Sequence, residues 1–393
     1  MKRTIKDLAK LKGRVVLVRV DFNVPISDTG EILDTTRIVN ALPTIKYLTE
    51  KKAKVVLMSH LGRPEGYDVR KSLWPIAMML MKALPCNVAF CNSLIGAEVE
   101  ERIKLMKEGN VLLLENTRFF EGEINCDMAF SREIAKLGHV FVNDAFGASH
   151  RKNATTYGVA RVLPNAIGFL VENEIANLSK IMEEPKRPFV AVLGGAKVKT
   201  KVEILHKFIE KADVIIIGGA MAYTFLKAVG VNVGSSIVDK DSIGIAKEII
   251  HYAQENGKKL LLPVDHVAIG NSDRNRALVT TKKLGGDLVA YDIGPATIAG
   301  FKKEIANAKQ IFWNGPLGMF ENEYFARGTH EIANAIANSK AHTIVGGGDT
   351  VAAINKYKLA HKISFVSTGG GATMEFLEKG SLPCIDVIQE RVK

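Results

Sequence analysis

Val, Ile and Leu gather in short runs without polar alternation: RVVLVRV, AKVVLMS, NVLLLEN, HVFVNDA, PFVAVLGG, DVIIIGG, LLLPVD, QIFWNGP, HTIVGGG and ISFVSTGG. A strand with one wet face alternates apolar with polar residues, so these runs suit strands buried on both faces. Between them lie stretches with helical spacing, such as VNALPTIKYLTEKK, FSREIAKLG, KVEILHKFIEKA and SIGIAKEIIHYAQENG. Strand and helix alternate almost throughout, which predicts an α/β chain of parallel sheets covered by helices.

A length of 393 residues, 47% hydrophobic, exceeds what one core usually supports and predicts two lobes of similar size, each a three-layer, Rossmann-like unit. The stretch GFLVENEIANLSKIMEEPKRP, 168 to 188, keeps a helical pattern up to Pro185 and Pro188 and is read as an interdomain helix. It also falls where the chemistry of the strand tips changes.

In open parallel sheets ligands sit beyond the carboxyl ends of the strands, so the residues after each apolar run are where function is expected. In the first half these tips read RVDFN, SHLGRP, ENTRFF and NDAFGASHR; in the second, GGAKVKTK, GGAMAYTF, NGPLGMFE, GGGDT and STGGGAT. The first half offers charged side chains and the second offers backbone. Glycine before a helix lets a polyanion approach exposed N–H groups at the positive end of the helix dipole, which points to a nucleotide in the second half.

The net charge of +11 is spread evenly, 26 basic against 22 acidic residues up to position 185 and 27 against 20 beyond it. Nucleic-acid binders concentrate charge on one face or arm, so small anionic metabolites are the expected partners, with nucleic acid unlikely. Cys86, Cys91, Cys126 and Cys384 show no Cys-x-x-Cys spacing, which argues against a zinc site or a disulfide framework. No signal-like or membrane-length apolar stretch occurs, so a soluble cytoplasmic protein is expected.

Arg37, Arg63, Arg118 and Arg151, with His60, fall at or near the tips of the first half, where guanidinium forks can bind carboxylate and phosphate bidentately. Asp21 and Asn23 suit hydrogen bonds to a hydroxyl, or ordinary turn chemistry. Lys197, Lys199 and Lys201 are read as opening one helix, where they oppose its dipole and repel each other, with Lys197 and Lys201 on a shared face. An anion would offset that. Asp349 is placed either to hold a divalent cation or to cap a helix, and Glu321 either to take a ribose hydroxyl or to be surface charge. No Walker phosphate loop, protein-kinase set or dinucleotide fingerprint is present.

Taken in order, RVDFNVP, SHLGRP, ENTRF, DAFG with His150 and Arg151, LGGAKVKTK, GGAMAYTFLKA, LPVD, WNGPLGMFE, GGGDT and STGGGA resemble the phosphoglycerate kinase family over essentially the whole chain. The resemblance implies reversible phosphoryl transfer from 1,3-bisphosphoglycerate to ADP, giving 3-phosphoglycerate and ATP, with Mg2+ as cofactor and a monomeric state. It implies that Asp21, Phe22, Asn23, Arg37, His60, Leu61, Gly62, Arg63, Arg118 and Arg151 hold phosphoglycerate. Gly195, Lys201, Gly219, Gly294, Pro316, Glu321, Gly347, Gly348, Asp349 and Thr350 would hold the nucleotide, with Asp349 on the metal. Arg37, Lys197, Lys201, Gly370 and Gly371 would surround the moving group.

The implied domains are a phosphoglycerate-binding domain over 1–170 with a C-terminal segment of about 376–393, the helix 171–185, and a nucleotide domain over 186–375. Substrates on opposite lobes would require hinge closure. Two departures stand out: INCDMAF lacks the usual acidic continuation, and Cys384 stands where glycine is common.

Overall fold

The computed structural model describes residues 1–270 and 278–391. The chain divides into two compact units, Met1–Ala176 with Lys379–Lys393, and Asn177–Glu378. The last two positions of the expected C-terminal segment, 392 and 393, lie outside the described residues.

In the first unit the strands are β1 (Val15–Val20), β2 (Lys54–Met58), β3 (Val88–Cys91), β4 (Val111–Leu114), β5 (Val140–Asp144) and β6 (Asn165–Ile167). They pair in parallel in the order β3-β4-β2-β1-β5-β6. Every residue of β1, β4 and β5 is buried, as their unbroken apolar runs require. The helix Thr36–Glu50 covers one face with Ile38, Ala41, Ile45 and Leu48, spaced three and four apart, against Val16, Val18 and Val20.

The second unit holds β7 (Phe189–Leu193), β8 (Val214–Ile217), β9 (Lys259–Leu261), β10 (His266–Gly270), β11 (Leu278–Thr281), β12 (Leu288–Ile293), β13 (Gln310–Asn314), β14 (His342–Val345) and β15 (Phe365–Val366). Six of these form a parallel sheet in the order β15-β14-β13-β7-β8-β9. The other three form a separate antiparallel sheet, β11-β10-β12, packed through Ala268 and Ala290 on Tyr223, Leu226, Val233 and Leu284.

The ten apolar runs fall on β1, β2, β4, β5, β7, β8, β9, β13, β14 and β15. β3 and β6 escape that pattern because they are short strands at the sheet edges. The antiparallel sheet corrects the expectation of parallel sheets throughout: LVTT of β11 is largely exposed and carries no apolar run.

In each parallel sheet the strand order reverses about one strand. β1 lies between β2 and β5, and β7 between β8 and β13. A crevice opens at such a reversal beyond the carboxyl ends, which places Asp21 at one and Gly194 at the other.

The helix Phe169–Glu183 begins against the tip of β5. Asp144 Oδ1 accepts the N–H groups of Leu170 at 2.9 Å and Val171 at 3.4 Å, so a carboxyl oxygen from another element caps this helix. Gly168 permits the approach, since a Cβ there would lie 2.2 Å from Asp144 Oδ1. The second carboxyl oxygen, Oδ2, is buried without a hydrogen-bond partner. Burial pushes the Asp144 carboxyl up from 3.8 to about 7, against the Thr44, Val171 and Leu170 hydrogen bonds.

Folded protein therefore keeps a proton on Asp144 where the unfolded chain has lost it. The associated stability is complete below about pH 4 and is lost as pH rises to about 7. Asp144→Asn cannot ionise, so its stability relative to wild type should climb across that window by up to roughly 4 kcal/mol. Urea unfolding at several pH values checks this, and an offset that stays constant with pH would contradict it.

Candidate functional site

In the first unit the turn after β1 sets the site. Phe22 is wholly buried and its N–H donates to Ser59 Oγ at 2.9 Å, which pins RVDFN to SHLGRP. Arg37, in the first turn of Thr36–Glu50, donates through Nη1 to Asp21 Oδ2 at 3.0 Å and to the Asn23 carbonyl at 3.1 Å. Burial alone would raise the Asp21 carboxyl, but Arg37 foremost holds it below the ordinary carboxylate value.

Asn23 Oδ1 accepts the Gly62 N–H at 2.9 Å, and the Gly62 carbonyl in turn accepts from Arg118 Nη1. Asn116 ties Leu61 to the Arg118 turn by accepting from both backbone N–H groups. Phe22 and Leu61 thus turn their side chains into the core, and their backbone N–H groups are spent on Ser59 and Asn116, so both brace the tips from within. Arg63 and Arg151 are exposed.

The guanidinium groups crowd one another. Burial, then the repulsion of Arg19 and Arg151 and also that of Arg63, pulls Arg118 below its ordinary value, with Glu123 opposing. Asp21 offsets Arg37 and Glu123 stands by Arg19, and an anion with several oxygens would add counter-charge for Arg118, Arg63 and Arg151.

The turn bearing Arg151 is held from below by the C-terminal segment. Cys384 N–H donates to the Ser149 carbonyl at 3.1 Å, and its thiol donates to the Arg151 carbonyl at 3.2 Å. Burial pushes that thiol up to about 12, so Cys384 acts as a packed group rather than a reactive one.

In the second unit three tips interlock through glycine. Gly194 N–H donates to the Asn314 carbonyl, Gly195 N–H to the Pro316 carbonyl, and Gly219 N–H to the Leu317 carbonyl. Gly219 has φ +66°, and a Cβ there would lie 2.6 Å from Gly195 N. These glycines therefore serve close packing of loop on loop. That corrects the expectation that their amides stand free for phosphate.

Open backbone is found instead at the two triple glycines. Gly348 and Gly371 begin the helices Gly348–Lys356 and Gly371–Lys379, and a Cβ on Gly348, Gly370 or Gly371 would meet nothing within 4 Å. The first N–H groups of a helix lack intrahelical partners, so both starts can receive an anion. Asp349 lies in the first turn with Gly347 at the cap, so it is not the capping residue.

The three lysines do not share one helix. Lys199–Lys201 form a 3-10 turn ahead of the helix Val202–Lys211, and Lys197 precedes both. Lys197 and Lys199 are exposed, while Lys201 turns inward and donates to Asn314 Oδ1. Burial brings the Lys201 ammonium down to about 8, against the attraction of Asp349 and Glu378.

Asn314 was passed over within NGPLGMFE, yet it is the hub: its Nδ2 also donates to the Gly346 carbonyl at 2.8 Å. Its position at the last residue of β13, beside the reversal, was the available signal. Thr350 is buried, and its hydroxyl accepts the Gly315 N–H at 2.6 Å.

Gly294 caps the helix Pro295–Asn307 where a Cβ would lie 2.4 Å from the Asp265 carboxyl carbon, Pro316 is half-buried, and Glu321 is exposed. A cavity of about 500 Å³ lies against the small sheet, lined by Val289, Tyr291 and Met319 among others. It borders the candidate tips only at Met319.

Gly347 has φ +96°, and a Cβ there would fall 2.3 Å from Asn314 Nδ2. Gly347→Ala should destabilise the unit by about 1–3 kcal/mol, whereas Gly348→Ala should cost under about 1 kcal/mol. Denaturant midpoints compare the two, and equal losses would count against the packing role of Gly347.

The phosphoglycerate kinase family model matches residues 5–380. A phosphoglycerate kinase of Pseudothermotoga lettingae is 48% identical over 100% of both chains, and one of Thermosipho africanus is 49% identical over 100% of this chain and 99% of its own. Among solved structures, phosphoglycerate kinase from Coxiella burnetii superposes with a TM-score of 0.88 at 38% identity, covering 98% of each chain. That from Pyrococcus horikoshii gives 0.84 at 32% identity over the same shares. With a family model over residues 5–380, relatives at nearly half identity over the whole length and both parallel sheets matched in solved structures, the chain belongs to the phosphoglycerate kinase family.

Proposed function

We propose that the chain carries out the family's reaction, moving a phosphoryl group between 1,3-bisphosphoglycerate and ADP to give 3-phosphoglycerate and ATP, with its first unit gripping phosphoglycerate and its second the nucleotide. The carrying observation is the crowding of Arg118 by Arg19, Arg151 and Arg63 beside the Arg37–Asp21 pair. A cluster of this kind favours a substrate bearing both phosphate and carboxylate over a plain carboxylate.

In the ATP-consuming direction the nucleophile is a carboxylate, already ionised at pH 7, so no general base is required. What remains is to hold two anions in line and to offset charge on the equatorial oxygens. Arg37 would serve from the first unit, and Lys197, Lys201 and the N–H groups of Gly370 and Gly371 from the second. Gly347, Gly348 and Thr350 would shape the nucleotide's phosphate turn, with Gly195, Gly219, Gly294 and Pro316 forming its floor and Glu321 reaching the ribose.

Magnesium bound with the nucleotide would neutralise phosphate charge. Asp349 is exposed at a helix start beside Lys201, and one carboxylate completed by phosphate oxygens and water suits that ion. Among the described residues no group of three or more His, Cys, Asp or Glu forms an all-protein cage.

The domains follow as 1–170 with the C-terminal segment, the linking helix 171–185, and 186–375. Closure on binding both reactants is read as a fall in the radius of gyration by X-ray scattering. One chain carries both sets of groups, so a monomer is expected on sedimentation. No described helix is long and apolar enough to cross a membrane. The four cysteines are free, which fits a reducing cytoplasm.

A coupled assay with ADP and 1,3-bisphosphoglycerate tests the reading, and absence of turnover would sink it. Arg37→Ala and Lys201→Ala should each lower kcat/KM by roughly 100-fold with the fold intact by circular dichroism. Lys199→Ala, on the exposed turn, should stay within about twofold.

A further inference from the structure

Arg19 occupies the fifth position of β1, a strand otherwise made of Val and Leu, and is 1% exposed. A buried cation is costly unless its donors and its charge are both met. Here they are. Nε donates to Thr155 Oγ1 at 2.8 Å, Nη1 to the Val20 carbonyl, and Nη2 lies 3.1 Å from His60 Nδ1. The Thr155 hydroxyl in turn donates to Glu123 Oε1 at 2.6 Å, while Glu123 Oε2 accepts the Thr155 N–H at 2.8 Å. Glu123, also 1% exposed, stands 4.0 Å from Nη2 and offsets the charge.

This chain has a direction. A guanidinium carries donors and no acceptor, so His60 Nδ1 must be the acceptor and cannot hold a proton. We propose that Arg19, anchored by Glu123 and Thr155, is a positioning residue that fixes His60 as a neutral imidazole protonated on Nε2, so that His60 meets phosphoglycerate as a hydrogen-bond donor and not as a cation. The inference deepens the reading of the first unit as the phosphoglycerate site and rests on it for the identity of the ligand.

The surroundings agree. Burial drives His60 down to about 3; Arg19, Arg118 and Arg37 add to that shift, and Asp21 opposes it. Protonating the ring would set a further cation among these arginines and force an N–H against Arg19. The arginines then carry the charge of the grip, and His60 supplies direction without a charge that changes between about pH 5 and 8, where an ordinary histidine titrates.

The test is nitrogen-15 NMR on histidine-labelled protein, with His60→Gln identifying the His60 signals among the nine histidines. The wild-type ring should show bare Nδ1 and protonated Nε2, unchanged from about pH 8 to 5. Glu123→Gln and Thr155→Val should each blur that single tautomer. Each should also raise KM for 3-phosphoglycerate about tenfold, while kcat and KM for ATP stay within about twofold.

A cationic or Nδ1-protonated His60 in wild type near pH 6.5 overturns the inference, as does a folded variant of either kind that keeps the wild-type signature. The wild-type spectrum decides even if neither variant folds. Should that spectrum be as expected while the protein fails to turn over 3-phosphoglycerate, the functional reading falls and the assignment of the ring stands.

Discussion

A strand buried on both faces has no room for an exposed functional group, so a parallel sheet delivers its chemistry only where its strands stop. That constraint organises both units. β1 and β5 in one, β7 and β13 in the other, are apolar along nearly their whole length and end on Asp, Asn or Gly. The reversal of strand order at β1 and at β7 then gathers those ends at one crevice in each unit. Arg19 is the exception that tests the rule: as a charge inside such a strand it persists because Thr155, Val20, His60 and Glu123 satisfy it.

The two units present different groups at their strand tips. In the first, side chains do the work, and the arginines are held near one another at an electrostatic cost that a multivalent anion would relieve. In the second, several of the tip glycines turn out to be packing devices. Gly194, Gly195 and Gly219 give their N–H groups to neighbouring carbonyls, and the lack of a side chain at Gly194 and Gly219 lets three loops close on each other. At these tips open backbone remains at Gly348, Gly370 and Gly371, and the first of these glycine runs lies beside Asn314, which links it to Lys201.

Lysine spacing shows where local pattern falls short. Lys197, Lys199 and Lys201 read as one helix start, which would pair the first and the last on one face. A 3-10 turn intervenes, and burial singles out Lys201 by packing it against Asn314 from a strand more than a hundred residues away. In the same way the Thr350 hydroxyl is tied to a distant segment, holding the Gly315 turn.

Sequence alone determined the alternation of strand and helix, the ten apolar strands, the arginine-rich and glycine-rich tips, and the family, because burial on two faces and tip chemistry leave a local imprint. Tertiary structure decided which tip residues face outward and which brace the fold. Phe22, Leu61 and Thr350 turn inward, while Arg19, Glu123, Thr155 and Asn314 become the supports of His60 and Lys201. Those roles were illegible in the chain because a buried polar residue is defined by the partner that satisfies it, and each of these partners comes from a distant segment.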